Sequence, residues 1–215
     1  TYENAFFLET MRGISLFCNQ KQYFTTLITG STNEELLSAI RTMVKENHLD
    51  GIILLYSNEQ DPIIDYLYEN GILFVQIGKA SQYPGETICI DNDNILAARE
   101  AVNYLYALGH RKIGYVGTDL KRIFSADRKA GYMLALAENN VPFKESYYLE
   151  MPQVPKEEND ALLHFLSGND RPTAVLVSDD ILAMVLEKTA FKLHLHIPED
   201  LSIISFNNSL FSKLS

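Results

Sequence analysis

Short apolar runs of strand length alternate with amphipathic helical stretches along nearly the whole chain. This alternation restricts the fold more than any other feature, because neighbouring parallel strands need a crossover and the crossover is usually a helix. Gly51-Ile52-Ile53-Leu54-Leu55-Tyr56 is a continuous apolar run, the pattern of a parallel strand covered on both faces. Residues 23–29 alternate apolar and polar and predict another strand; 73–77, 87–90, 113–116, 174–177 and 203–206 complete the set. Residues 5–20 predict a helix, with Phe7, Met11, Ile14 and Phe17 about one turn apart. Ser31 and Thr32 stand at capping-box distance from Glu34 and Glu35 and start a second helix that runs to about Asn47. Further helices are predicted at 62–69, 94–108, 126–139, 157–166 and 181–193, and 140–156 reads as a Pro-bearing loop. The order specifies a doubly wound α/β architecture with parallel sheets and right-handed crossovers.

The strands fall into two groups, with the change near Asp91–Asn94. An N-terminal lobe is expected over 1–91 and a C-terminal lobe over 92–206, with 207–215 the start of a crossover back to the first lobe. The first lobe opens on a helix where βαβ order calls for a strand, so its first strand is expected to be missing. The last strand leaves nine residues after it, so the return crossover is expected to be truncated.

The 215 residues carry a formal net charge of -10, which argues against phosphate binding through the general surface. The one basic cluster is His110-Arg111-Lys112. No apolar run approaches the roughly 18 residues of a membrane span. Thr1-Tyr2-Glu3-Asn4 has no basic leader pattern, and the expected location is cytoplasmic. Cys18 and Cys89 are expected to be reduced, mostly buried thiols.

No nucleophile elbow and no Gly-rich phosphate loop occurs, and no enzyme activity or cofactor is expected. His194-x-His196 has no third ligand in sequence, so no metal is expected. The acidic pairs Asp91/Asp93 and Asp179/Asp180 lie where a strand meets a helix. There an Asp is commonly an N-cap, and that edge of a parallel sheet is also where ligands bind. Asn4, Arg128 and Asn207-Asn208 occupy similar junctions. Carboxylates, amides and a guanidinium converging on one cleft suit a poly-hydroxyl ligand. Arg128 taken alone is equally compatible with a surface salt bridge, and Arg128→Ala is expected to weaken ligand binding with little loss of stability.

These residues resemble the LacI/GalR family of transcription regulators over nearly the whole chain. Asn4-Ala5-Phe6-Phe7-Leu8 through Gly13-Ile14 is similar to the family's opening, with Ala5 where proline is usual. Asp50-Gly51-Ile52-Ile53 resembles its D-G-I-I strand. Asp91-Asn92-Asp93-Asn94, followed by Leu108-Gly109-His110-Arg111-Lys112-Ile113-Gly114-Tyr115-Val116-Gly117, resembles its most recognisable block. Ser125-x-x-Arg128-x-x-Gly131-Tyr132, Pro172-Thr173-Ala174 through Ser178-Asp179-Asp180, and Ile197-Pro198-Glu199-Asp200 through Phe206-Asn207-Asn208 follow in the family's order. Within it, the sequence is most similar to maltose-operon repressors.

The resemblance implies a type I periplasmic-binding-protein-like fold: two doubly wound lobes with a ligand cleft between. It implies ligand contacts from Asn4, Phe6, Phe7, Asp91, Asp93, Arg128, Asp179 and Asn207. Asn207 stands where Asp is commoner, which favours a neutral ligand. The implied function is sensing of a sugar effector, maltose or a related sugar, that alters operator DNA binding by a full-length homodimer through a headpiece absent from this chain. The alternative is a solute-binding protein of a sugar transporter, which shares the fold.

Overall fold

The computed structural model describes residues 5–151 and 160–207. Its contacts divide the chain into Thr1–Asn92 and Asp93–Ser215, each with its own parallel sheet. Among the described residues, no helix is long and apolar enough to cross a membrane.

The first unit runs α1 (Ala5–Gln20), α2 (Asn33–Lys45), β1 (Ile52–Leu54), α3 (Pro62–Glu69), β2 (Phe74–Ile77) and β3 (Ile88–Ile90). The capping box forms: Thr32 caps α2 by accepting from the Glu35 N–H, and Glu35 Oε2 accepts from the Ser31 N–H at 2.7 Å. Asp61 caps α3 through the Ile63 N–H, with Pro62 at the first helical position, where its missing N–H costs nothing. The strands pair in parallel in the order β1-β2-β3. Ile40, Leu54, Ile63, Ile64, Leu67 and Phe74 form the core.

Two expectations fail in this unit. The apolar run is a strand only over Ile52–Leu54 and is not covered on both faces, for Ile53 is 42% exposed. The reason is position: β1 pairs with β2 and has no other neighbour among the described residues. Residues 23–29 carry a strand pattern yet pair with no strand among the described residues, and Phe24 is 95% exposed.

The second unit runs α4 (Asn94–Ala107), β4 (Ile113–Gly117), α5 (Ile123–Glu138), a 3-10 turn (Glu145–Tyr147), β5 (Tyr148–Glu150), α6 (Asp160–Leu166), β6 (Ala174–Val177), α7 (Asp180–Lys192) and β7 (Ser202–Ser205). β5 is a strand where a loop was expected. All strands are parallel, in the order β5-β4-β6-β7. The two central strands are buried throughout, and their side chains alternate between two cores. Ile113, Tyr115, Ala174 and Leu176 face α4 and α5, where they meet Ala98, Val102, Leu105, Tyr132, Ala135 and Leu136. Val116, Val175 and Val177 face α6 and α7, where they meet Leu162, Phe165, Leu166, Leu182 and Leu186.

Helices α4 and α5 approach closely at Gly131, where a Cβ would lie 2.2 Å from the Ile95 carbonyl oxygen. At the N-terminal ends of the strands, His110 Nδ1 bonds Thr173 Oγ1 at 3.0 Å and Nε2 bonds Ser202 Oγ at 3.1 Å. Arg111 stacks 3.7 Å from the Tyr106 ring centroid, and Lys112 pairs with Asp170 at 3.0 Å. The one basic cluster is thus a clamp across the starts of β4, β6 and β7.

Candidate functional site

Strand order places a crevice in the second unit. The chain leaves β4 over the α5 face to reach β5, then returns over the α6 face to β6 on the other side of β4. The segments after β4 and β6 therefore part toward opposite faces at the C-terminal ends of adjacent strands. In open α/β sheets such a switch point is where ligands bind.

Arg128 projects from α5 into this region. It is 9% exposed, so the surface-salt-bridge reading is excluded. Its Nε donates to Asn94 Oδ1 at 2.9 Å, and its Nη1 donates to the Ser178 carbonyl. The guanidinium lies 3.9 Å from the Phe206 ring centroid and 4.9 Å from that of Phe124. Arg128 thus ties the start of α4 to the end of β6. Two buried acceptors would lose their donor on its removal, so Arg128→Ala is predicted to cost stability, against the sequence expectation.

Asp179 follows β6 and caps α7, its Oδ1 accepting from the Leu182 N–H at 2.8 Å. It is 5% exposed. Burial pushes its carboxyl above the ordinary range, and the neighbouring Asp180 charge adds to this. The Leu182 N–H and the Arg128 charge pull the other way. Asp180 is 1% exposed, and neither of its carboxylate oxygens has a hydrogen-bond partner among the described residues. Thr118 Oγ1, after β4, and Ser178 Oγ are buried and unpartnered in the same way. Buried polar atoms without partners are costly, and four of those in the described residues gather after β4 and β6, with others in the first unit at Tyr56, Asp61 and Gln76.

The remaining expected residues are distributed as follows. Asn207 follows Phe206 with φ +71°, a left-handed backbone that Asn tolerates, and is half-buried. Asp93 is exposed and caps α4 through the Leu96 N–H at 2.8 Å, which places it one residue from Asn94. Asp91 is exposed and belongs to the first unit, immediately after β3. Phe6 and Phe7 lie in the first turn of α1 in that unit; Phe6 is exposed and Phe7 half-buried. Asn4 and Asn208 lie outside the described residues. Arg128, Asp179 and Asn207 thus share the second unit's strand edge, and Asp93 stands beside the Asn94 that holds Arg128.

The sequence reading missed three participants. Phe124 and Phe206 supply aromatic faces against Arg128, and both were read only as parts of a connection and a strand. Arg122 occupies the N-cap position of α5 without making a side-chain cap. It is half-buried, and its guanidinium has no hydrogen-bond partner among the described residues. Burial draws its pKa down, opposed by the charges of Asp119 and Asp179. The signal was a cation in the short connection between a buried strand and a helix three residues before Ser125.

Both cysteines are free; Cys89 is exposed on β3, against the expectation of burial. His196 pairs with Asp200 at 3.0 Å.

A family model described as a periplasmic binding protein-like domain matches residues 102–215, just over half of the chain. Over 96% of its length the chain is 30% identical to the HTH-type transcriptional regulator MalR of Staphylococcus xylosus, of which it covers 60%. It is 31% identical to the HTH-type transcriptional repressor PurR of Escherichia coli O1:K1 / APEC, of which it covers 61%. The chain therefore spans about three-fifths of the curated relatives it matches. Among solved structures, it is similar to a protein of Bacillus cereus subsp. cytotoxis NVH 391-98 assigned as a LacI transcriptional regulator. The TM-score is 0.92 and the identity 36%, over 99% of this chain and 76% of that one. The chain belongs to the periplasmic binding protein-like domains, in the form carried by regulators of the LacI family.

Proposed function

We propose that this chain is the effector-sensing part of a transcription repressor, that its ligand is a sugar, with maltose or a related sugar favoured, and that the ligand alters operator binding by the full-length dimer. The observation that carries the reading is the Arg128 assembly. A guanidinium fixed by Asn94 and Ser178 and flanked by two aromatic rings sits beside a buried carboxylate and several unpartnered hydroxyl and carboxylate oxygens. A sugar offers hydroxyls to the polar atoms and C–H faces to the rings. Nothing in the assembly is arranged as a nucleophile and base, and the relatives it resembles are regulators. The likeness to maltose-operon repressors favours maltose within the sugars. The ligand acts only as far as it binds the two conformations of the regulator unequally.

The test is a thermal-shift and calorimetric panel of mono- and disaccharides, maltose included, on the 215-residue chain and on the full-length protein. A ligand at about 100 times its Kd stabilises by about 2.7 kcal/mol. The expected result is saturable stabilisation by one sugar, abolished in Arg128→Ala, and a change in operator affinity of the full-length protein with that same sugar. Binding by no sugar to either protein would overturn the reading.

A further inference from the structure

The connection from β4 to α5 carries a cation that the scaffold does not use. Arg122 holds the N-cap position of α5, where an Asp, Ser, Thr or Asn would accept from the first N–H groups of the helix; a guanidinium can only donate. Helix α5 therefore starts without a cap, and the Ile123 and Phe124 N–H groups find no acceptor among the described residues. The Arg122 guanidinium is half-buried and donates to none of the described residues. The nearby acids are engaged with backbone donors of their own loops. Asp119 Oδ1 accepts from the Lys121 N–H at 2.9 Å, and Asp179 Oδ1 accepts from the Leu182 N–H at 2.8 Å. Burial works against the Arg122 charge, and the charges of Asp119 and Asp179 offset only part of that.

The guanidinium fork and two backbone N–H groups thus stand together unpaired, at the positive end of a helix of 16 residues. Thr118 Oγ1, on a side chain that is 0% exposed, has no partner either, while the Thr118 carbonyl accepts from Ser125 Oγ at 2.7 Å in the first turn of α5. A guest at this strand edge covers Arg122 further. A neutral guest would strip water from the guanidinium and return a single weak acceptor. A carboxylate or phosphate returns a charge and two oxygens in the geometry of the fork. Asn207, at the same edge, brings an amide and adds no repulsion.

We infer that the effector is an acidic sugar, and that Arg122 with the first turn of α5 takes its carboxylate or phosphate. The inference rests on the sugar-effector reading and narrows it, against the sequence expectation of a neutral ligand. Arg128 and Asp179 then hold the sugar's hydroxyls, and Arg122 decides which sugar is accepted.

Titration calorimetry on the 215-residue chain and on the full-length protein tests it, with glucose, maltose, glucuronate, maltobionate and the monophosphates of glucose and maltose as ligands. The expected result is an acidic sugar bound at least about tenfold more tightly than its neutral parent, a gain that Arg122→Gln removes while moving the neutral parent's affinity less than about threefold. Arg122→Lys keeps the charge, loses the fork and falls between the two. The two acids separate by pH: the ratio of acidic to neutral affinity falls as pH drops through about 6 for a phosphate and holds to about pH 5 for a carboxylate. Unliganded Arg122→Gln should melt no lower than the parent, because this guanidinium ties no element to another. A neutral sugar bound as tightly as its acidic derivatives overturns the inference and leaves the sugar reading standing; binding of no sugar, neutral or acidic, removes both. Equal losses for neutral and acidic sugars in Arg122→Gln, or a melting temperature lowered as in Arg128→Ala, also overturn it, because Arg122 then supports the structure of the site and reads no charge.

Discussion

Replacing Arg128 with Ala should destabilise the second unit as well as empty the site. The Arg128 side chain gives one hydrogen bond to Asn94 Oδ1 and one to the Ser178 carbonyl, and both partner residues are at most 3% exposed. Each orphaned buried acceptor costs about 1–3 kcal/mol. The two ring contacts, with Phe124 and Phe206, contribute roughly 0.5–1 kcal/mol each. Water entering the vacated space and the relief of a desolvated cation offset part of this, leaving about 3–4 kcal/mol. For a unit of this size, about 4 °C per kcal/mol converts that into a fall of about 12–16 °C in its melting temperature. The assay is urea unfolding followed by near-UV circular dichroism, with Asn94→Ala and the double variant completing a cycle. The double variant should be less destabilised than the sum by about 1–2 kcal/mol, because removing both partners leaves no orphaned amide oxygen. A loss below about 1 kcal/mol in Arg128→Ala, or strict additivity, would refute the view of Arg128 as a structural tie.

Three further outcomes follow from the same geometry. Asp179→Asn keeps a good N-cap for α7 and should hold or raise stability at neutral pH, while sugar affinity falls about tenfold with the charged acceptor gone. The folded state holds the Asp179 proton more tightly than the unfolded chain. Its unfavourable contribution is therefore absent below about pH 4, grows as pH rises through the raised folded value, and should vanish from the stability–pH profile of the variant. His110→Ala should cost about 1–2 kcal/mol by chemical denaturation, since Thr173 and Ser202 lose a shared partner. Burial lowers the His110 pKa, so the parent should lose stability as pH falls below about 6.5, and the variant should show a flatter profile. Gly131→Ala gains about 1 kcal/mol of helix propensity but forces a methyl against the Ile95 carbonyl, for a net loss of about 1–3 kcal/mol in thermal unfolding.

The order of elements was legible because each signal is local. Asp61-Pro62 opens α3 and Asn70-Gly71 closes it; the covered strand Ala174–Val177 has its bounds written in four consecutive apolar residues. What the sequence withheld depends on neighbours. Residues 23–29 (Tyr-Phe-Thr-Thr-Leu-Ile-Thr) are aromatic and β-branched as a strand should be, but such composition specifies only a preference; a strand also needs a ladder, and none of the described residues provides one. The run at Ile52–Tyr56 looks doubly covered for the same reason: apolarity records the burial a segment is suited to, and only strand order tells that β1 stands at an edge. β5 escaped because an edge strand of three residues, none of them buried, has too short a period to distinguish from a turn.

The site divides along the same line. Arg128 and Asp179 were found through motifs at strand-to-helix junctions, because a parallel sheet brings all such junctions to one edge. The motif could not say that Arg128 is buried, for that follows from Asn94 on α4 and Ser178 after β6 meeting at one side chain from distant parts of the chain. Nor could it single out Arg122, whose half-buried guanidinium gains meaning only beside Asp179. Asp93 and His110 make the converse point. Both sit in the segment most like the family, yet their visible bonds are a helix cap and a clamp across strand starts. The recognisability of that segment therefore reflects how the sheet is assembled at least as much as what it binds. A search for specificity should start from Arg122, the cation the motifs pass over, because it makes no side-chain cap of α5 and its guanidinium feels the charge of Asp179.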